Sequence, residues 1–434
     1  MTTSIITRGS GVSIAGRQSR GLSPAFTRAS TATNPDTGAT VAANEPRFVE
    51  GRFGKAVLVE EGTANLLPEN QRSIETDITG FVKAVGTETL SRDVTERWHG
   101  AASLKVIASG SERGVATSLA QTTPGTTYTF SAWVKGSGSV VARVLEYTAG
   151  GAVVGYTSSS AIVLTSSWQR IGITRAFGAT GAQARCALLT PVGYEQAITL
   201  YTDGLQLEAK PYATSFVDGT RAQEALKVAL DSLDLAPNGD WTIEGGARVM
   251  NMSNGVEVWS ALFQMGNYYE ANQSEFEIWL NHNGYVKAWS HDNKQSRYRS
   301  LFAYDYAELS AGFRFAVAHD ASANTYRIHF RTKDREFWDT WALSHANPIA
   351  PVLGVGSKPN GGNNLGGSIE GLRLHRRALS DEEIAAHAAG DIGSLGDCYH
   401  YPFDGNLWPA PGSLGAVVAP SIITRPGKLE VIGR

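Results

Sequence analysis

Pro124-Gly125-Thr126-Thr127-Tyr128-Thr129-Phe130-Ser131-Ala132-Trp133-Val134-Lys135 is the stretch that decides the fold. Tyr128, Phe130, Ala132 and Val134 fall on one side of an extended chain, and Thr129, Ser131, Trp133 and Lys135 on the other. That period of two belongs to a strand with one face in a core. Pro124-Gly125 supplies the turn before it and Gly136-Ser137-Gly138-Ser139 the loop after it. Comparable segments flank it at residues 103–107, 140–147, 159–164, 169–174, 185–190 and 197–207. Short strands at such spacing predict a two-sheet sandwich of jelly-roll type over residues 65–218.

The same pattern resumes beyond Asp240. Phe276, Ile278 and Leu280 alternate with Glu277 and Trp279, Phe313, Phe315 and Val317 with Arg314 and Ala316, and Tyr326, Ile328 and Phe330 with Arg327 and His329. Asn283-Gly284 between two such runs marks a tight hairpin, because both residues accept positive φ at low cost. The reading is therefore all-β, two sandwiches in tandem. The second covers residues 219–392, with an extended arm at 1–64 and a Pro-rich tail at 393–434. Two segments depart from period two. Ala222, Leu226, Ala229, Leu230 and Leu233 have a weak helical spacing, fitting either a linker helix or an edge of the second domain. Ser380-Asp381-Glu382-Glu383 is a capping box, followed by Ile384, Ala385, Ala388 and Ala389 and stopped by Gly390, which predicts a helix.

Composition bounds the function. With 434 residues, 42% hydrophobic and 18% charged, the chain has material for more than one core. A net charge of −3 gives no basic field for a nucleic-acid backbone. No run of about 18 apolar residues offers a membrane span, and the N-terminus lacks the roughly 7–15-residue apolar core of a signal peptide. Cys186 and Cys398 are too few for a disulfide framework and have no metal-binding spacing, so two buried thiols are expected rather than one long-range bridge. Ser4-Ile5-Ile6-Thr7-Arg8 recurs as Ser421-Ile422-Ile423-Thr424-Arg425. The repeat is either chance or a pair of tails adding similar strands to equivalent edges.

Three stretches carry resemblances. Residues 23–33 read S-x-A-x-x-R-A-S-x-A-T, followed by Pro46-Arg47-Phe48 and by Glu60 to Leu67, where Ala64 interrupts the usual spelling. This succession resembles the N-terminal segment of tailed-bacteriophage and prophage structural proteins, which implies a virion setting. Asn65-Leu66-Leu67-Pro68, Gly100 to Lys105, Pro124 to Val134, Trp168-Gln169-Arg170 and Asp203 to Glu208 are similar to jelly-roll carbohydrate-binding modules. That family often holds a structural calcium between first and last strands. The resemblance implies Asp203 as a ligand, assisted by Glu75 and Asp77. Calcium takes six to eight oxygens, and the sequence names few, so an Asp203 without metal stands as the alternative. Gly366 to Ile384 resembles the closing strand and helix of concanavalin-A-like and laminin-G-like sandwiches, and residues 54–58 resemble an opening strand of that fold. A distant segment recruited in this way would move the boundary near Asn65.

Glycan recognition needs aromatic faces turned away from the core, flanked by polar side chains. Trp133, Tyr268, Tyr269 and Trp279 are the aromatic candidates, with Asn267, Asn272, Asn281 and His282 as polar partners. Burial against another domain or subunit explains each equally well. Catalysis finds little support. Glycanases place two carboxylates about 5–5.5 Å or 6.5–9.5 Å apart, and Glu275-x-Glu277 lacks its third acid, where Trp279 stands. Asp334, Glu336 and Asp339 read as a solvated rim. No zinc-protease or Gly-x-Ser-x-Gly motif occurs. The expectation is a non-enzymatic phage structural protein in a tail fibre, spike or tail tip, bound to other virion proteins and to host-surface glycan. Particle decoration and a glycan hydrolase are the alternatives. A trimer is common among such fibres, though no heptads demand one.

Overall fold

The computed structural model describes residues 6–8, 11–13, 24–230, 233, 235, 239–250, 259–266, 275–281, 284–291, 296–342, 352–359, 361–391, 398–407, 421–425 and 428–432. Their strands form two antiparallel sandwiches, so the chain is all-β. The first pairs a five-stranded sheet, ordered Thr89–Asp93, Ser103–Ser109, Ala197–Glu208, Thr127–Ser137 and Gln169–Ala176, with a seven-stranded sheet. The main path of the latter is Val153–Ser158, Ser139–Tyr147, Gln183–Leu189, Gly114–Ala116 and Val82–Lys83. Period two explains the layers. Phe130, Ala132 and Val134 point inward from one sheet to meet Val140, Ala142 and Val144 from the other, all fully buried. Each large buried side chain contributes roughly 1.5–3 kcal/mol.

The second sandwich is not contiguous in sequence. One sheet runs Ser296–Ala303, Tyr285–His291, Glu275–Asn281, Trp259–Met265, Val352–Val355, Ala225–Ala229 and Ala25–Thr27. The other runs Glu336–Ala342, Thr325–Arg331, Phe313–Asp320, Trp241–Val249, Gly367–His375, Lys55–Val59 and Arg47–Glu50, with Cys398–Tyr401 also paired to Gly367–His375. Residues 25–59 are therefore sheet and not an extended arm. The reason is visible in the burial of Val57 and Val59, which join Ile369, Leu372 and Leu374 in the second core. Residues 398–403 likewise leave the expected tail, because Tyr399, Tyr401 and Phe403 fill the same core. The first sandwich is an insertion in the second. The chain leaves and returns through a two-stranded neck, Thr63–Ala64 against Thr220–Arg221.

The neck is bound by buried charge. Arg47 donates to Glu224 at 2.7 and 3.0 Å and to Glu60 at 2.8 Å, and also reaches Ser215. Arg28 donates to Glu224 at 2.9 Å, while Arg221 reaches the Ser215 hydroxyl at 2.8 Å and Glu60 at 3.3 Å. Burial alone raises the Glu60 carboxyl, but Arg221, Arg47 and the Ser215 hydrogen bonds outweigh it and hold Glu60 well below the usual carboxylate range. Arg28, Arg47 and Glu60 are motif residues of the N-terminal resemblance. In this fold they face inward and join the two sandwiches.

Local expectations met mixed outcomes. The capping box is present, with Glu383 N donating to the Ser380 hydroxyl at 3.3 Å and the Glu383 carboxylate accepting from Ser380 N at 2.9 Å. The helix runs Asp381–Ala389 and ends on Gly390 in the left-handed region, φ 105°. The hairpin forms between Glu275–Asn281 and Tyr285–His291 with Gly284 at φ 83°. Residues 220–230 contain no helix. Ala225–Ala229 is a strand between two others, sending Leu226 and Val228 into the core. Cys186 and Cys398 lie buried in different sandwiches and are not bridged. Each copy of the terminal repeat opens its own hairpin, Ile6–Arg8 with Gly11–Ser13 and Ser421–Arg425 with Lys428–Ile432. Among the described residues no helix is long and apolar enough to cross a membrane.

Candidate functional site

The four outward sheet faces are covered to different degrees among the described residues, and on the sheet that holds Trp279, Tyr285 is 44% exposed and Tyr298 76%. On the five-stranded sheet, Thr129, Ser131, Asp203, Gln206 and Glu208 are buried beneath the neck and residues 210–217. Thr129 donates to the Lys210 carbonyl at 2.7 Å, and Glu208 accepts from Thr63 at 2.7 Å and Thr214 at 2.6 Å. Trp133 does turn away from the core, but Trp98 stacks on its ring at 4.4 Å and 17°. Gly204, at φ 54°, makes room for the stack, since a Cβ there would lie 2.9 Å from the Trp98 ring. Trp133 is thus a packing residue along that ring face.

Asp203 organises the same corner. Its carboxylate accepts the backbone N–H groups of Trp98, His99 and Gly204 at 2.9, 2.8 and 2.7 Å. Burial pushes it up to about 6 against those three bonds. Glu75 accepts from Ala101 N at 2.8 Å, and Asp77 from Asn70 at 3.0 Å and Thr79 N at 2.7 Å. The three acids form no shared ligand set among the described residues, each being engaged separately with N–H donors.

On the eight-stranded sheet, the Asp381–Ala389 helix lies over Ala316 and Ala318 through Ile384, with Leu379 in the same cluster. On the remaining sheet of the second sandwich, Trp279 is 8% exposed, meets Trp289 edge-on at 4.7 Å and carries Lys358 over its ring at 5.7 Å. Asn281 is buried, so neither residue offers the open surface expected of it. Tyr268, Tyr269 and His282, with Asn267 and Asn272, lie outside the described residues. Glu277 is fully buried 3.5 Å from the Lys358 amine, Glu336 Oε1 lies 2.8 Å from His329 Nε2, and Asp339 pairs with Arg299 at 2.9 Å. The side chain of Glu275 is not described.

The outer face of the seven-stranded sheet in the first sandwich is open around Tyr156. Val141, Ala187, Leu189 and Ala116, with Leu145, form a small apolar cluster on the side opposite the main core. Tyr156 rises beside it, 56% exposed, with the Arg143 guanidinium 4.3 Å from its ring. Arg143 is fixed by Ser158 and Glu112, both at 2.8 Å. Arg185 lies 5.6 Å over Tyr147, one rung along. Val82, Val153 and Val154 are exposed on the sheet's outer strands. An aromatic ring, fixed charged donors and an apolar floor are the elements a sugar ring requires. Sequence reasoning missed this face because residues 153–158 follow Gly150-Gly151 without clean alternation. The Val153-Val154-Gly155-Tyr156 run beside a glycine turn was the available signal.

No protein-family model matches the chain, and no curated protein matches it. Solved structures similar to parts of it include the CBM40 of a Ruminococcus gnavus IT-sialidase, at 17% identity and TM-score 0.29 over 36% of this chain and 86% of that one. The CBM22-1–CBM22-2 tandem of Paenibacillus barcinonensis Xyn10C shows 12% identity and TM-score 0.29 over 71% and 98%. The enzymatically active domain of bacteriophage CBA120 tailspike protein 4 shows 12% and 0.28 over 33% and 21%. At these scores the class rests on the sheets themselves: two antiparallel β-sandwiches, one inserted in the other.

Proposed function

We propose that this chain is a non-catalytic, glycan-binding structural protein of a bacteriophage particle, a tail-fibre, spike or tail-tip component. The observation that carries the binding reading is the open face around Tyr156, Arg143 and Arg185, where an exposed ring, two guanidinium groups and an apolar cluster lie together. A ring standing on an apolar floor fits the C–H face of a pyranose, and the guanidinium of the half-buried Arg185 fits its hydroxyl or acidic oxygens. The ion pair of Asp339 with Arg299 and the sealed Glu277 support a role without catalysis. Support for the particle setting comes from the sequence resemblance over residues 23–67. Weak single sites become useful when many copies engage one surface, because linkage raises avidity without new contacts.

The test is a glycan array probed with the full chain and with Tyr156→Ala and Arg185→Ala. Binding to a set of host-surface glycans is expected, weakened roughly tenfold or more by each variant, equal to at least about 1.4 kcal/mol. Absence of binding by the parent protein, or binding that ignores both substitutions, refutes the site. Immunogold labelling of intact particles tests the virion setting separately, with tail-end labelling expected.

A further inference from the structure

The outer face of the eight-stranded sheet holds a cluster that the glycan reading does not use. Glu244 and His375 stand on the neighbouring strands Trp241–Val249 and Gly367–His375, and His387 reaches down from the Asp381–Ala389 helix. One oxygen, Glu244 Oε1, lies 3.0 Å from His375 Nε2 and 2.9 Å from His387 Nδ1. These three atoms all lie within 4.8 Å of one another. The Glu244 and His375 side chains are almost wholly buried, and that of His387 is 11% exposed. Glu244 and His387 also line a cavity of about 10 Å³ beside Arg314, His329 and Arg373, room for about one water.

We propose that Glu244, His375 and His387 form a zinc site, with three protein ligands and one position left to water, that pins the closing helix to the sheet. Two imidazole nitrogens and one carboxylate oxygen are the borderline donor set that zinc prefers, whereas calcium takes oxygens. Zinc bonds of about 2.0–2.2 Å need ligand atoms a little over 3 Å apart around one centre. The two short edges, 3.0 and 2.9 Å, open by a few tenths of an ångström to admit the ion, and all three ligand atoms adjust by rotation of side chains on rigid elements. The adjoining cavity supplies a water as fourth ligand. Arg373 opposes the site, since its guanidinium donates to the same Glu244 oxygen at 2.7 Å. A bound divalent ion shifts that contact to the other carboxylate oxygen, so the site is selective for a tightly held metal and improves when the guanidinium is removed.

The experiment uses the full chain, stripped with chelator and titrated with zinc ion at neutral pH. The thermal midpoint is expected to rise with zinc, and cobalt(II) in its place to give the visible absorption of a tetrahedral complex. His387→Ala, the least buried of the three, should weaken zinc at least as much as loss of an outer-sphere partner does, roughly tenfold to a hundredfold. Arg373→Met should strengthen it. The proposal is overturned if the folded parent protein shows neither response, or if the zinc response survives in His387→Ala and in Glu244→Gln. A cluster held by hydrogen bonds alone predicts no zinc response in any of the four proteins, including Arg373→Met.

Discussion

Arg47 directs its guanidinium to Glu224, Glu60, Ser215 and the Thr33 carbonyl, all in a region without water access. Removing one partner of such a pair leaves the other charge buried and unpaired. Arg47→Ala should therefore cost about 3–5 kcal/mol in urea unfolding. Exposed pairs such as Arg327 with Asp381 are worth at most about 1 kcal/mol. The Arg28 and Arg47 motif was legible in the sequence, but its role was not. Their shared partner Glu224 lies 196 and 177 residues away, and no local pattern reports a contact at that distance. Asp203 adds a pH dependence of known sign. Its folded pKa, near 6 from a usual 3.8, means the folded state holds the proton more tightly than the unfolded chain. Its contribution to stability thus falls as pH rises from about 4 to about 6, and Asp203→Asn should lack that slope in unfolding titrations. Glu60 behaves oppositely: its contribution is complete above the ordinary carboxylate range and lost on acidification below it.

Among elements, the strands were the most legible, because a face-alternating sequence leaves one geometry in which its apolar residues are all buried. The Asp381–Ala389 helix was legible for a different reason, since Ser380, Glu383 and Gly390 satisfy its end groups locally. Ser380→Ala should lower stability by about 1 kcal/mol, measured by denaturant unfolding. Residues 222–233 left a helix and a strand of the second domain both open because Leu226, Leu230 and Leu233 suit a helix, while pairing of Ala225–Ala229 with strands on both sides outweighs that weak propensity. Aromatic candidates stayed open in the same way. An out-of-phase Trp133 does leave the core, yet period two cannot reveal that Trp98, from a loop 35 positions earlier, lies flat upon it. Tyr156 stayed hidden because exposure, unlike inward packing, leaves little periodic trace.

At the scale of the molecule, the second sandwich takes strands from residues 25–59 and again from 225–401. A fragment of residues 219–392 lacks Val57, Val59, Tyr399 and Tyr401 from its core and should fail to fold on expression. Residues 62–221 bring their own two sheets and closed core and should fold alone, with the cooperative melt of a small domain. Recovery of soluble, proteolysis-resistant protein from each fragment checks both outcomes. Four of the site candidates lay in sheets that the sequence located well, but which face of each sheet stays open depends on how the neck, the helix and the loops settle over them.

The neck has an evolutionary consequence. Asn65 N hydrogen-bonds to the Gly219 carbonyl at 2.8 Å, so the two ends of the guest module stand side by side. Adjacent termini make that point a place where one compact unit can be exchanged for another with little change to the path of the host chain. Because Ser215 and Arg221 of the insert are buried partners of Arg47 and Glu60 in the host, a bridge of a few glycines and serines from Glu61 to Ala222 should leave a destabilised remnant, and any replacement unit must bring groups that satisfy those two charges.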